Sequence, residues 1–299
     1  MSYNTIYHYC SVETFRKIIT NKELWMTDIT KSNDSKELQL ALEKIASDLK
    51  PKLNIKDAGD GYIPLQIFYD FIRALKKIES LFHVCCFSED MDSLSQWAMY
   101  SNDATGIAIG FDKNKFSKLK NQCDGIDFDK VEYTTEPISE IIDNKLNGIV
   151  DIYKNKSNND DLSWCEEALY FLFNDIRRMT YLYKNHSFEQ EHEYRLVFNS
   201  MPYRLPEIGN NKLNYEKEFI KDKVSISDEF ELGEIDYYIS KGKLVSYRPL
   251  KIKNMGSIIN EIVTAPKTLI TKNDIKMFLK VNNIDLPDYK IIQSKSTYR

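Results

Sequence analysis

Several familiar landmarks are missing from this chain of 299 residues. No apolar run approaches the roughly 18–20 residues that cross a bilayer, which argues against a membrane span. The opening Met1-Ser2-Tyr3-Asn4-Thr5 does not read as a signal peptide. Glycine and proline are scarce, at 10 and 8 residues beside 19 Tyr and 15 Phe, which argues against a low-complexity or disordered chain. There is no glycine-rich phosphate loop, no Gly-x-Ser-x-Gly and no metal-type histidine pair, so kinase, ordinary hydrolase and dinucleotide-fold dehydrogenase readings lose their support. The 4 histidines are scattered and no metal is expected. The 5 cysteines show no metal-type spacing, and the adjacent Cys85-Cys86 is a poor disulfide candidate. An odd thiol count without an export signal points to a reducing cytoplasm. With 41 basic and 45 acidic side chains the formal charge is −4, which does not advertise nucleic-acid binding, although a local basic cleft is compatible with it.

What the chain does have is a core. Apolar residues make up 42%, aromatic residues 12%, with 19 Tyr and 15 Phe. Apolar periodicity predicts short strands at Ile6–Tyr9, Leu24–Met26, His83–Ser88, Gly106–Phe111 and Val131–Thr134. Helices are expected from Ser11 or Glu13, over Lys36–Leu49, Leu65–Leu81, Ser93–Tyr100, Pro137–Lys154 and Leu162–Lys184, and near Lys272–Val281. Ile235–Ile239 and Leu244–Tyr247 flank Ser240-Lys241-Gly242-Lys243, a hairpin signal. Further strands are expected at Glu261–Thr264 and Tyr289–Ile292. With no repeat and no clear linker, the expectation is a single α+β domain over 1–299 with a helical insertion at about 137–184.

The stretch Glu191-His192-Glu193-Tyr194-Arg195-Leu196-Val197-Phe198 reads as a strand. Alternation then puts Glu191, Glu193 and Arg195 on one face and Tyr194, Leu196 and Phe198 on the core face. Aligned carboxylates suit a site that stabilises a developing cation or accepts a proton. Taken alone, an exposed sheet face with Arg195 offsetting the acids is the better reading. His8, within Tyr7-His8-Tyr9-Cys10-Ser11, sits where a strand meets a helix, a position suited to a ligand contact. Trp97 and Tyr100 share a helix face. Packing explains Trp97, whereas Tyr100, at the helix end, is placed to stack on a planar ligand. Asn33-Asp34 followed by Glu37 reads as a helix cap with acids in the first turn.

Taken in order, Tyr7-His8-Tyr9-Cys10-Ser11, Asn33-Asp34, Cys86-Phe87-Ser88 with Trp97 and Tyr100, Gly106 to Phe111, Phe188 to Arg195, Glu261-Ile262-Val263 near Pro266, and Ser294 with Tyr298-Arg299 resemble the bacterial family known as domain of unknown function 2971. Cys10 stands where that pattern has threonine, and Ala265-Pro266 where it has Gly-Pro. The family resembles, more distantly, the ADP-ribosyltransferase fold, whose members bind NAD in a cleft between two small sheets and use a His-Tyr-Glu or Arg-Ser-Glu set. That resemblance implies split sheets around a cleft, with NAD as substrate. It implies His8 at a ribose hydroxyl, Tyr100 at nicotinamide with Ser88 as the alternative middle residue, and Glu191 or Glu193 as the late glutamate. Tyr9, Ser11, Trp97 and Arg195 would add nucleotide contacts. Arg195 would pair a phosphate or hold one glutamate.

The leading expectation is therefore an NAD-consuming ADP-ribosyltransferase-like enzyme, by analogy a toxin or phage-defence effector. The acceptor is unspecified, and nucleic acid is among the targets such a cleft would admit. The second is a non-catalytic nucleotide-binding sensor or interaction module on the same fold. The third is a nuclease gathering Asp34, Glu37, Glu191 and Glu193 around magnesium.

Overall fold

The computed structural model describes residues 4–31, 82–123, 125–154, 171, 175–176, 178–200, 222–240 and 242–297. The expected helices Lys36–Leu49 and Leu65–Leu81, and the candidates Asn33, Asp34, Glu37, Tyr298 and Arg299, lie outside these residues.

The molecule is of mixed α and β structure, dominated by one twelve-stranded mixed sheet. In chain order its strands are β1 (Thr5–Cys10), β2 (Glu23–Asp28), β3 (Phe82–Ser88), β4 (Ile107–Asp112), β5 (Ile126–Lys130), β8 (Glu193–Asn199), β9 (Val224–Ser225), β10 (Phe230–Leu232), β11 (Asp236–Ser240), β12 (Lys243–Ile252), β13 (Ile259–Thr264) and β14 (Ile291–Gln293). A separate parallel pair joins β6 (Glu132–Thr134) to β7 (Tyr183–Asn185). The helices described over their whole length are α1 (Val12–Asn21), α2 (Leu94–Tyr100), α3 (Lys113–Ser117), α4 (Ile138–Lys154) and α5 (Lys272–Val281), and a further helix ends at Leu182. None of the described helices is long and apolar enough to cross a membrane. The hairpin signal is realised in β11 and β12, with Ser240 opposite Lys243.

The sheet forks at β3. One edge of β3 pairs with β8 along its whole length, from Phe82↔Asn199 to Ser88↔Glu193. The other edge is shared. β1 meets it only at Tyr7↔Ser88, and β2 meets it at Thr27↔Val84 and Asp28↔His83. β1 and β2 are linked through α1, so two branches of sheet diverge from one side of β3. β1 continues into β4, β13 and β14, and β2 into β12, β10 and β9.

The two faces are covered differently. Alternation along β1 sends Ile6 and Cys10 into the main core with Phe15, Ile18 and Ile19 of α1, Phe116 of α3 and Ile275 and Leu279 of α5. It sends Tyr7 and Tyr9 to the opposite face, against Trp97 of α2, Ala108 and Val263. Tyr194, Leu196 and Phe198 pack with the main core, as alternation along β8 requires. Gly106 does more than open β4, because a Cβ there would lie 2.1 Å from the Cys10 carbonyl oxygen. Only glycine lets the end of β1 pass so close.

Two expected boundaries shift. The helix foreseen to Lys184 ends at Leu182, and Tyr183–Asn185 forms β7 instead. Parallel pairing with β6 overrides local helical preference there. The strand foreseen from Glu191 begins at Glu193. Glu191 closes a 3-10 helix, His186–Glu191, opened by the Asn185 side chain accepting from the Ser187 amide. His192 then takes a left-handed conformation at φ 42, which breaks the extended run.

Candidate active site

Despite that break, the acids and the arginine meet. The turn at His192 returns Glu191 beside Glu193, and both carboxylates converge on Lys184. The Lys184 ammonium donates to Glu191 Oε2 at 2.5 Å and to Glu193 Oε2 at 3.2 Å. Arg195 grips Glu193 with two bonds, Nε to Oε1 at 2.8 Å and Nη2 to Oε2 at 3.0 Å, and its Nη1 donates to the Tyr181 carbonyl. All four charged residues are buried. This is a compact group of two anions and two cations, the arrangement that makes burial of charge tolerable. Of the two roles foreseen for Arg195, it fills the second, holding a glutamate.

Neutral donors complete the cluster. The Tyr100 hydroxyl donates to Glu191 Oε1 at 3.2 Å. The Glu193 amide donates to the Tyr133 hydroxyl at 2.9 Å. Ser88, fully buried, donates to the Glu191 carbonyl at 2.7 Å and accepts from the Asp90 amide. Burial alone would raise Glu193, but Arg195, Lys184 and the Cys86 thiol outweigh it and hold its carboxyl at about 2. Desolvation, and then the Glu191 charge, push the Tyr100 phenol upward, so it donates at neutral pH. The protein around Cys86, and then Glu193, keep that thiol protonated well above its ordinary range.

Two residues of this cluster are exposed, and Tyr133 is half-buried. Tyr100 is 42% exposed while touching Glu191, and Cys86 is the one exposed residue of β3. They form the accessible rim above the buried carboxylates.

The remaining expected residues fall elsewhere. By register, Tyr7, Ser88 and Glu193 form one row across β1, β3 and β8. His8 is therefore on the opposite face, with its ring edge-on to Phe87. Its Nδ1 lies 3.0 Å from the Cys86 carbonyl. A carbonyl only accepts, so Nδ1 carries the proton and Nε2 the lone pair. Desolvation lowers the ring's pKa, opposed by that bond, and the imidazole is neutral at pH 7. His8 thus occupies the fork, bonding a β3 carbonyl where β1 has already left the ladder. Tyr9 donates to the Asp90 carbonyl and accepts from the Ser93 amide. Ser11 caps α1 by accepting from the Thr14 amide. Trp97 is fully buried and donates to Asp92 at 2.7 Å. These three side chains serve the frame around the site.

Lys184 and Tyr133 are absent from the sequence-based expectations for the site, and Cys86 enters them only as part of Cys86-Phe87-Ser88, with no role of its own. Lys184 was hidden because its segment read as helix. Tyr133 and Lys184 are register partners in the β6–β7 pair, so that small sheet delivers both side chains to the carboxylate turn.

Residues 96–196 match the model of a family described as "Protein of unknown function (DUF2971)". The matched stretch runs from α2 into β8 and contains Tyr100, Tyr133, Lys184, Glu191, Glu193 and Arg195, while His8, Cys86 and Ser88 lie before it. No curated protein and no solved structure matches the chain.

Proposed function

We propose that the protein is an NAD-consuming, ADP-ribosyltransferase-like enzyme, with the diverging branches of sheet as the walls of its substrate cleft and Glu191–Glu193 as its acidic motif. One observation carries this reading. The three segments that such enzymes draw together, here around His8, Cys86-Phe87-Ser88 and Glu191–Glu193, lie on or at the start of three adjacent strands, β1, β3 and β8. Tyr100 then stands over Glu191 at the accessible rim. Breaking the bond from ribose C1′ to nicotinamide nitrogen sends the electron pair out with nicotinamide and leaves positive charge on the ribosyl group. A fixed carboxylate stabilises that charge without reorganising. An acceptor hydroxyl, amine or water then attacks C1′ and loses its proton. Protein, nucleic acid, a small molecule or water would each suit as acceptor. A role as toxin or phage-defence effector rests on the family resemblance alone.

Specific features favour the second reading, a nucleotide-binding module without turnover. As folded, the acids are paired with two internal cations, and His8 is turned to the other face. The nuclease reading is weakened by the same pairing, since Glu191 and Glu193 already face an ammonium and a guanidinium.

The test is nicotinamide release from NAD by wild type, Glu191→Gln and Glu193→Gln, with and without cell lysate. Release that disappears in at least one variant is expected, and a need for lysate would mark a macromolecular acceptor. Undiminished release in both variants overturns the assignment. A thermal shift with NAD but no release by folded wild type selects the binding module.

A further inference from the structure

We infer that Lys184 is the positioning residue of this site: its ammonium, lodged between Glu191 and Glu193, bridges the two adjacent carboxylates and holds Glu191 toward the Tyr100 hydroxyl. The catalytic consequence rests on the enzymatic reading. The electrostatic consequence does not.

The two cations have unequal roles. The bonds of Arg195 to the acids go to Glu193 alone, whereas Lys184 bridges both. Lys184 is 4% exposed and Glu191 2%, so the interaction runs through poorly screened surroundings. Among the described residues, the groups facing the pair include Tyr100 from α2, Cys86 from β3, Tyr133 from β6 and Arg195 from β8, with the Phe188 ring 4.8 Å from the ammonium. Tyr100, Tyr133 and Cys86 are all pushed upward and stay neutral at pH 7. Among the described residues, the positive charge facing the pair is therefore that of Lys184 and Arg195. Without Lys184, Glu191 would keep the Tyr100 hydroxyl and face an ionised Glu193. Two carboxylates sharing a site do not both ionise readily, so one would hold its proton toward neutral pH. A protonated carboxyl stabilises no cation.

The geometry around Lys184 is built for this position. Pairing of β7 with β6 orients it in register with Tyr133, whose hydroxyl anchors the first amide of β8. One two-residue row thus fixes both the backbone of the acidic turn and the charge between its carboxylates.

Lys184→Met, Lys184→Arg and the double variant Lys184→Met with Glu191→Gln test the inference, through unfolding stability from about pH 5 to pH 8 and through the pH profile of nicotinamide release. In Lys184→Met a carboxyl has its folded pKa raised above the unfolded value. Its stability, relative to wild type, is then highest at low pH and falls as pH rises through the folded pKa. The double variant removes one acid and flattens that fall, and Lys184→Arg tracks wild type. On the enzymatic reading, the acid limb of kcat in Lys184→Met moves up by roughly one pH unit or more, KM stays within about threefold, and Lys184→Arg restores the profile. Stability and kcat profiles of Lys184→Met that run parallel to wild type overturn the inference. If wild type releases no nicotinamide, the enzymatic reading fails and the stability profile still decides the role of Lys184.

Discussion

β3 carries a buried polar cluster at each end, and the two are closed in different ways. At the Ser88 end the charges are full and matched: Glu191 and Glu193 against Lys184 and Arg195, with Tyr100 and Cys86 accessible above them. At the His83 end a buried histidine and serine sit with one acid, Asp28, and one guanidinium, Arg248. His83 Nε2 lies 3.4 Å from the Ser246 hydroxyl, which also approaches Asp28, while Asp28 accepts from the Thr30 amide and hydroxyl. Arg248 is fully buried over the Phe198 ring and donates to the carbonyls of Gly233 and Asp222. Among the described residues, His83 Nδ1 and Ser200 Oγ are buried without hydrogen-bond partners. One cluster fixes strong charges beside side chains that a ligand can touch. The other ties β2, β3 and β12 together through Asp28, His83, Ser246 and Arg248, whose side chains are all buried. Proximity of polar groups therefore does not distinguish a candidate site from a structural knot. Accessible groups in direct contact with fixed charge do.

The sharpest way to break the comparison is to remove one charge from the paired end. Arg195→Met leaves Glu193 buried with its bidentate partner gone and Lys184 shared with Glu191. Breaking a buried pair from one side costs about 3–5 kcal/mol. Denaturant unfolding should show a loss of that size, and a loss under about 1 kcal/mol would mean that water enters the cluster freely.

At the His83 end the handle is pH. Burial, and then the Arg248 charge, lower His83 to about 4. The unfolded imidazole titrates near 6.5, so the folded value lies well below it, a difference worth about 3 kcal/mol. For a histidine with a depressed folded value, the unfolded chain takes up the proton first. This contribution is complete above about pH 6.5 and is lost as pH falls toward 4. His83→Leu should therefore shrink the acid-side loss of stability in a series of unfolding curves. An unchanged pH dependence would place the acid sensitivity elsewhere.

These clusters also mark where reading the chain succeeds and fails. α2, α5, β1, β3 and the β11–β12 hairpin follow from local pattern. α5 even carries its own start signal, a capping box between Thr271 and Asp274. β5 is legible too, since Ile126-Asp127-Phe128-Asp129-Lys130 alternates cleanly, although it is absent from the strands expected above. The acids of the site were found by counting residues two apart. That count assumes an unbroken strand, and the left-handed turn at His192 breaks it without scattering the carboxylates. Lys184 was invisible because its strand exists only through pairing with residues some fifty positions earlier. The fork was invisible for a related reason. It depends on β1 and β2 competing for one edge of β3, and no local period encodes that. His8 was recognised as a special position, but its face follows from the Tyr7↔Ser88 register, which the sequence does not display.

The smallest change tests the rim that separates the two ends of β3. Tyr100→Phe keeps the ring and deletes one hydroxyl bonded to Glu191. Because Tyr100 is 42% exposed, water can serve the freed carboxylate oxygen in part, and the stability loss should stay near 1 kcal/mol. Function responds differently under the two readings. If Glu191 stabilises a developing cation, losing its orienting donor lowers kcat by about tenfold, whereas a ring retained for stacking leaves KM nearly unchanged. If the site only binds a nucleotide, there is no kcat to lose, and the hydroxyl appears as a modest change in ligand affinity. A variant that matches wild type in stability, release and affinity alike would show that the hydroxyl contributes nothing to the site. Tyr100 would then be a surface aromatic, and the accessible rim would reduce to Cys86.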